Sequence, residues 1–235
     1  MPDSGGSLQF TNRYGARRRT GDPTLSQVYD DFDGPRDDRI RYDTPAWHGL
    51  SFGGSVAQGG FLDVGSRYAG ELSGVKVAAG VGYMNYQGTL PSTLPQDGTN
   101  QATTPFQQRV AGSVAALLLN GLNVLVSAGW GEHYGGCCGG GLVAHRDSTT
   151  YFLKAGYQAH LFSFGPSNFA VQGGQTRNRI ADGDIATRYG VSFNQQVIAK
   201  GFELYAGYEH LTLHRAGLLR FEAADIALLG SRIQF

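Results

Sequence analysis

Between Arg13 and Asp43 the chain carries seven Arg and seven Asp, and neither Lys nor Glu. A balanced set of guanidinium and carboxylate groups at that density suits charges that face one another; a run of one sign would repel itself and stay unfolded. Toward its end the acids Asp30, Asp31, Asp33, Asp37 and Asp38 crowd against the bases Arg36, Arg39 and Arg41, and Asp43 closes the stretch. Fixed charges of opposite sign that face one another orient water and polar groups between them and move no proton. Reaction chemistry is harder to place. No HExxH, P-loop or CxxC pattern occurs, and His133, His145, His160, His210 and His214 are scattered among strand ends and loops. A Ser/His/Asp trio could be assembled from residues on one rim, but a triad is known by geometry and nothing singles out three members. The expectation is a chain that is not an enzyme and needs no cofactor.

Cys137 and Cys138 are neighbours inside YGGCCGGG. Their Cα atoms stand about 3.8 Å apart, below the usual range for a disulfide. Metal binding would want further ligands at defined spacing, which His133 and His145 at the flanks do not supply, so both cysteines read as small loop residues and no metal is expected. Nineteen Lys plus Arg against nineteen Asp plus Glu gives a formal net charge of zero, without the clustered positive surface that nucleic acid demands. The short run Arg17–Arg19 lies beside acids and reads as a solvated loop.

Strands must position these charges. From Arg39 the residues alternate strictly: Arg39, Arg41 and Asp43 on one face, Ile40, Tyr42 and Thr44 on the other. Period two with such contrast marks a strand between two different solvents. The same alternation predicts eleven strands, at 39–46, 50–58, 62–72, 75–86, 107–119, 122–133, 149–161, 167–177, 185–197, 202–213 and 223–235. One face carries sets such as Val75, Val77, Ala79, Val81 and Tyr83, or Leu122, Val124, Val126, Ala128 and Trp130. The opposite face carries Lys76, Ser127, Lys154, Gln158, Asn194, Glu203 and Glu209, together with Arg67, Arg109 and Arg188. Thirty-six Gly and 16% charged residues are unusual for a soluble enzyme. The longest apolar run, Val114 to Leu119, is far too short for a spanning helix. A barrel strand, by contrast, needs only about 9–11 residues, apolar at every second one.

Connections alternate too. Short links fall at 47–49, 73–74, 120–121, 162–166 and 198–201, and long ones at 87–106, 134–148, 178–184 and 214–222, with 59–61 the exception. Ser73-Gly74 and Asn120-Gly121 suit two-residue hairpin turns, which need positive φ. All tight turns then sit at one rim and all long loops at the other, as in outer-membrane barrels. Tyr83, Trp130, Tyr151, Tyr189 and Tyr208 fall near the long-loop ends, and Trp47, Phe202 and Phe235 near the tight turns. Two such belts are expected at the two headgroup layers, whereas a soluble sandwich would bury its aromatics in mid-strand. The fold class expected is all-β, an antiparallel up-and-down transmembrane β-barrel.

The segment FDGPRDDRIRYDTPAWHGLSF (32–52), with the C-terminal LGSRIQF, resembles the Gram-negative general porins of the outer membrane. The resemblance implies a homotrimer of closed sixteen-stranded barrels embedded in the lipid bilayer, whose water-filled pores pass small hydrophilic solutes and ions by diffusion. It implies that residues 24–38 are the inward-folded third loop, with Asp30, Asp31 and Asp33 facing Arg39 and Arg41 across the constriction. Asp37 and Asp38 then stand at the loop-to-strand junction. Residues 1–38 form the constriction segment on this reading, with room for a short strand at 7–14, and 39–235 form the barrel wall. Eleven or twelve strands are fewer than sixteen, and MPDSGG lacks the basic start and apolar stretch of a signal peptide. The expectation is therefore a chain incomplete at its N-terminus, folded as a curved, open or imperfectly closed sheet with 39–46 and 223–235 as unpaired edges. A translocator or structural barrel is the alternative, and a barrel hydrolase active at its rim a more distant one. A translocator's lumen would hold a helix, for which residues 1–38 show little periodicity.

Overall fold

The computed structural model describes residues 8, 10–11, 23–29, 38–57, 60–86, 106–136, 142–144, 146–197, 201–215 and 220–233. One helical turn, α1 (Leu25–Val28), precedes twelve strands: β1 (Arg39–Asp43), β2 (Leu50–Ala57), β3 (Phe61–Leu72), β4 (Val75–Tyr86), β5 (Phe106–Leu117), β6 (Leu122–Gly136), β7 (Leu142–Ala144), β8 (Ser148–Phe162), β9 (Gly165–Arg177), β10 (Ile185–Val197), β11 (Phe202–His214) and β12 (Ala224–Ile233). Every pairing is antiparallel and every long strand pairs with its neighbours in chain order, which is an up-and-down meander. The short β7 lies off that path, pairing only with the extension of β6. Among the described residues no ladder joins β1 to β12, so the sheet is open. Strands of 12 residues, such as β3, β4 and β5, run about 40 Å at 3.3 Å per residue. Tilted by about 45°, they would still cover about 28 Å, close to the thickness of bilayer hydrocarbon.

Register aligns the alternation from strand to strand. One cross-strand row reads Ala79, Val114, Val126, Leu153, and the next reads Gly80, Ser113, Ser127, Phe152. On the apolar face Val114, Val126, Leu153, Val171 and Val191 all stand exposed, as do Ile40 (81%) and Leu229 (82%) near the two edges. Exposed apolar patches on monomeric soluble proteins rarely exceed a few hundred square ångströms. Here the exposure runs across the whole sheet. The polar face is concave over β1 to β6, because one groove is lined from Arg39 on β1 to Ser127 on β6.

Turn chemistry fixes the first rim. His48 and Gly49 both have positive φ, as do Ser73 and Gly74, so each pair closes a two-residue hairpin. The expected two-residue turn at Asn120-Gly121 does not form. Only Gly121 has positive φ; its N–H donates to Leu118 O at 3.0 Å, and Leu118 N–H donates to Leu122 O at 2.8 Å. The loop is therefore three residues, Leu119 to Gly121, with the Asn120 side chain accepting the Leu122 N–H at 3.0 Å. A link expected at 162–166 tightens to Ser163 and Phe164.

The compact apolar core lies on the polar face. Phe10, Leu25, Val28 and Tyr29 are buried against Ala186 of β10 and Leu211 and Leu213 of β11, with Ile180, Phe221, Ala224 and Ile226 around them. Phe10 N–H donates to Pro23 O at 3.0 Å and Leu25 N–H to Leu8 O at 2.8 Å, which clasps the two pieces of this knob together. Residues 8, 10 and 11 belong to no strand of the sheet. Residues 1–38 show little helical periodicity, yet one helical turn forms in them. Its cause is a capping box: Thr24 Oγ1 accepts the Gln27 N–H and Gln27 Oε1 accepts the Thr24 N–H.

Candidate functional site

The groove on the polar face of β1 to β6 holds about 560 Å³ and gathers Arg39, Arg41, Asp43, Asp63, Arg67 and Arg109. Arg41 makes a bidentate pair with Asp43, Nε and Nη2 donating at 2.7 and 2.8 Å. That pair lies flat over β2 because residue 53 is Gly; a Cβ there would run into the Asp43 carboxylate. Arg39 Nη1 stands 3.6 Å from Asp63 Oδ2, and Ser55 Oγ donates to the same carboxyl group. Arg109 is buried (6% exposed), while Arg67 is exposed to the groove. The groove is thus lined by four guanidinium groups and two carboxylates.

Farther along the same face a second groove of about 760 Å³ is bordered by Glu71, Lys76, Asn123 and Lys154. Glu71 and Lys76 are opposed in register across the tight turn between β3 and β4. Toward the other edge Glu203 pairs with Arg232 Nη2 at 2.5 Å and accepts the Asn194 amide, and Gln172 donates to Glu209. Charged and amide side chains recur along this face from β1 to β12, with Leu117, Leu125 and Phe152 among them.

Of the residues that sequence alone puts on a constriction, Arg39, Arg41, Asp43, Arg67 and Arg109 share one groove. Arg188 is on the same face but far along the sheet, on β10 beside the knob. Asp38 is exposed just before β1. Asp30, Asp31, Asp33 and Asp37 lie outside the described residues, so the loop-to-wall pairing implied by the resemblance is not on view. Carboxylates that do meet Arg39 and Arg41 are Asp63 and Asp43. Asp63 escaped the sequence reading, although its place in β3, four residues before Arg67, puts both on one face.

The apolar face ends in aromatic residues with polar partners. Trp130 Nε1 donates to Asp147 at 3.0 Å, Tyr83 OH to Gln108 at 3.2 Å and Tyr208 OH to Asp225 at 2.6 Å. Tyr189 packs on His210, centroids 4.9 Å apart, and His210 in turn sits 2.7 Å from Asp225. Tyr151 stands exposed on the same face, opposite Gln175, and Trp47 is exposed in the first tight hairpin. Rings with one apolar body and one wet tip fit the boundary between hydrocarbon and headgroups. Phe235, Cys137, Cys138 and His145 lie outside the described residues. Among the described residues no group of His, Cys, Asp or Glu is arranged to hold a metal ion, and no helix is long and apolar enough to cross a membrane.

No family model matches the chain, and no curated protein does. Among solved structures it is similar to a "NanC porin" in a rhombohedral crystal form, at 12% identity and a TM-score of 0.43, over 84% of this chain and 92% of that one. At that score the likeness carries no weight, and the reading rests on the two faces of the sheet itself.

Proposed function

We propose that this chain forms the wall of an outer-membrane channel in a Gram-negative bacterium, through which small hydrophilic solutes and ions diffuse without catalysis or cofactor. One observation carries the reading. A single meander has apolar side chains exposed across one entire face, while Arg39, Arg41, Asp43, Asp63, Arg67 and Arg109 share a groove on the other. Only a medium of hydrocarbon on one side and water on the other satisfies both faces at once, and barrels with polar interiors are the β solution to that condition. Open edges at β1 and β12 must then be met by further strands, since unpaired N–H and C=O groups are not tolerated in hydrocarbon. Sixteen strands in all and assembly as a homotrimer belong to the same proposal, and both draw on the resemblance to the general porins.

Conductance across planar lipid bilayers tests it. Protein whose β1 and β12 edges are closed by those further strands, inserted from detergent, is expected to give stepwise, ohmic currents in potassium chloride. Insertion shown by protease protection, with no current, would refute the channel.

The knob favours a second reading, a translocator barrel with its own N-terminal segment in the lumen. Against it stands the length of α1: four residues span about 6 Å, a fraction of the membrane's thickness.

A further inference from the structure

Arg188 is held in an unusual way for a cation on a wet wall. Its guanidinium carbon lies 4.7 Å from the centre of the Phe152 ring and 5.7 Å from that of Tyr29. Tyr29 is itself fixed, its OH donating to Thr187 O at 2.8 Å and to Thr212 O at 3.1 Å. Burial pushes its phenol well above the usual range, so it keeps the proton that makes those bonds. A ring face attracts a cation without offering a lone-pair oxygen, so these two contacts leave guanidinium N–H donors unspent. Among the described residues no hydrogen bond or ion pair is made by Arg188, whereas Arg39, Arg41 and Arg232 all have carboxylate partners.

The surroundings form a recess. Arg188 is aligned with Gly174 of β9, and that glycine leaves the space that Phe152 fills: a Cβ there would stand 3.1 Å from the Phe152 ring. The next row of the same face reads Lys154, Gln172, Gly190, Glu209, with Gln172 and Glu209 joined across the glycine. A planar fork of donors is thereby bordered by two rings on one side and by an amide, a carboxylate and a second cation on the other.

We infer that Arg188 is the anchor of a subsite for solutes bearing a carboxylate group. The carboxylate would take two parallel N–H···O bonds from Arg188, the geometry for which a guanidinium is pre-shaped. Lys154 adds positive potential, and Gln172 with Glu209 can bond a neighbouring hydroxyl. This deepens the channel reading and rests on it: the subsite would be a station along the route of acidic solutes.

The test separates the two. In detergent-solubilised full chain, the Arg188 Nε–H resonance, assigned by its disappearance in Arg188→Lys, is titrated with sodium acetate and with sodium chloride at equal ionic strength. A saturable shift with acetate alone is expected, and Phe152→Leu, which loosens the stack, should weaken apparent affinity several-fold. Equal responses to both salts, or none, would overturn the subsite while leaving the channel intact. In bilayers Arg188→Lys should lose about tenfold of the affinity with which acetate depresses the current. Unchanged acetate sensitivity in that variant would also overturn the subsite. Wild-type protein with its barrel closed by the further strands that inserts and conducts nothing would refute the channel itself, even where the acetate shift is seen in detergent.

Discussion

Phe10→Ala is the perturbation that best separates the knob from the wall. The Phe10 side chain is 1% exposed, its ring 6.4 Å from that of Tyr29 and 6.3 Å from that of Phe221, so its removal leaves a hole in the knob. Buried Phe→Ala changes cost about 3–5 kcal/mol. Because the knob seats on an open face and can relax, we take the lower end, about 3 kcal/mol, which shifts the docking equilibrium on the order of 100-fold. Five amides report on docking: Phe10 N–H to Pro23 O, Leu25 N–H to Leu8 O, Val28 N–H to Thr24 O, Tyr29 N–H to Leu25 O and Glu222 N–H to Thr11 O, all between 2.8 and 3.2 Å. Amide hydrogen exchange in lipid micelles should find these roughly 100-fold faster in the variant, while ladder amides of β8 and β9 keep wild-type rates. Tyr29→Phe, which removes one donor and little volume, should accelerate them only about fivefold. Unchanged exchange at these amides in Phe10→Ala would refute the docking. Equal acceleration in β8 and β9 would show that knob and wall are one cooperative unit.

Three further outcomes follow from the two faces and the turns. Leu153→Arg puts a charge on the apolar face in mid-strand and should destabilise the protein in lipid vesicles by about 2–4 kcal/mol in urea titrations, whereas Lys154→Gln on the other face should change little. Asp63→Asn removes a carboxylate from a groove already rich in guanidinium, so reversal potentials across a salt gradient should move toward anion preference. Gly121→Ala places a side chain at φ +87 and against the Gln158 carbonyl, and should cost about 1–3 kcal/mol by the same urea assay.

All eleven long strands were legible because the alternation is between charge and hydrocarbon, which leaves little room for a slip of register. Ser73-Gly74 was readable for the same local reason, both φ values being positive. Asn120-Gly121 was not, because the same dipeptide serves a two-residue turn or the end of a three-residue loop, and Leu119 decides by joining the loop. Three-residue β7 escaped as well: a pairing of Leu142 to Ala144 with the end of β6 is too short to show a period. The knob left a trace that went unread. At Leu211 and Leu213 on β11, and again at Ala224 and Ile226 on β12, apolar residues occupy the face that is polar elsewhere, while His210, Thr212 and His214 take the other. Such an inversion of phase at the ends of two adjacent strands is what a partner packed on the wet side produces. Asp63 was a simpler omission, since counting by twos from Arg67 reaches it.

Which solvent touches which face can be measured directly along β8. Single cysteines carrying a nitroxide at positions 151 to 158, in lipid vesicles, report collisions with oxygen, which concentrates in hydrocarbon, and with a water-soluble nickel chelate. Oxygen access should peak at 151, 153, 155 and 157, and nickel access should run out of phase, peaking at 152, 154 and 158. A label at 153 or 155 reached by nickel but shielded from oxygen, with 154 buried from both, would contradict a wall that separates water from lipid.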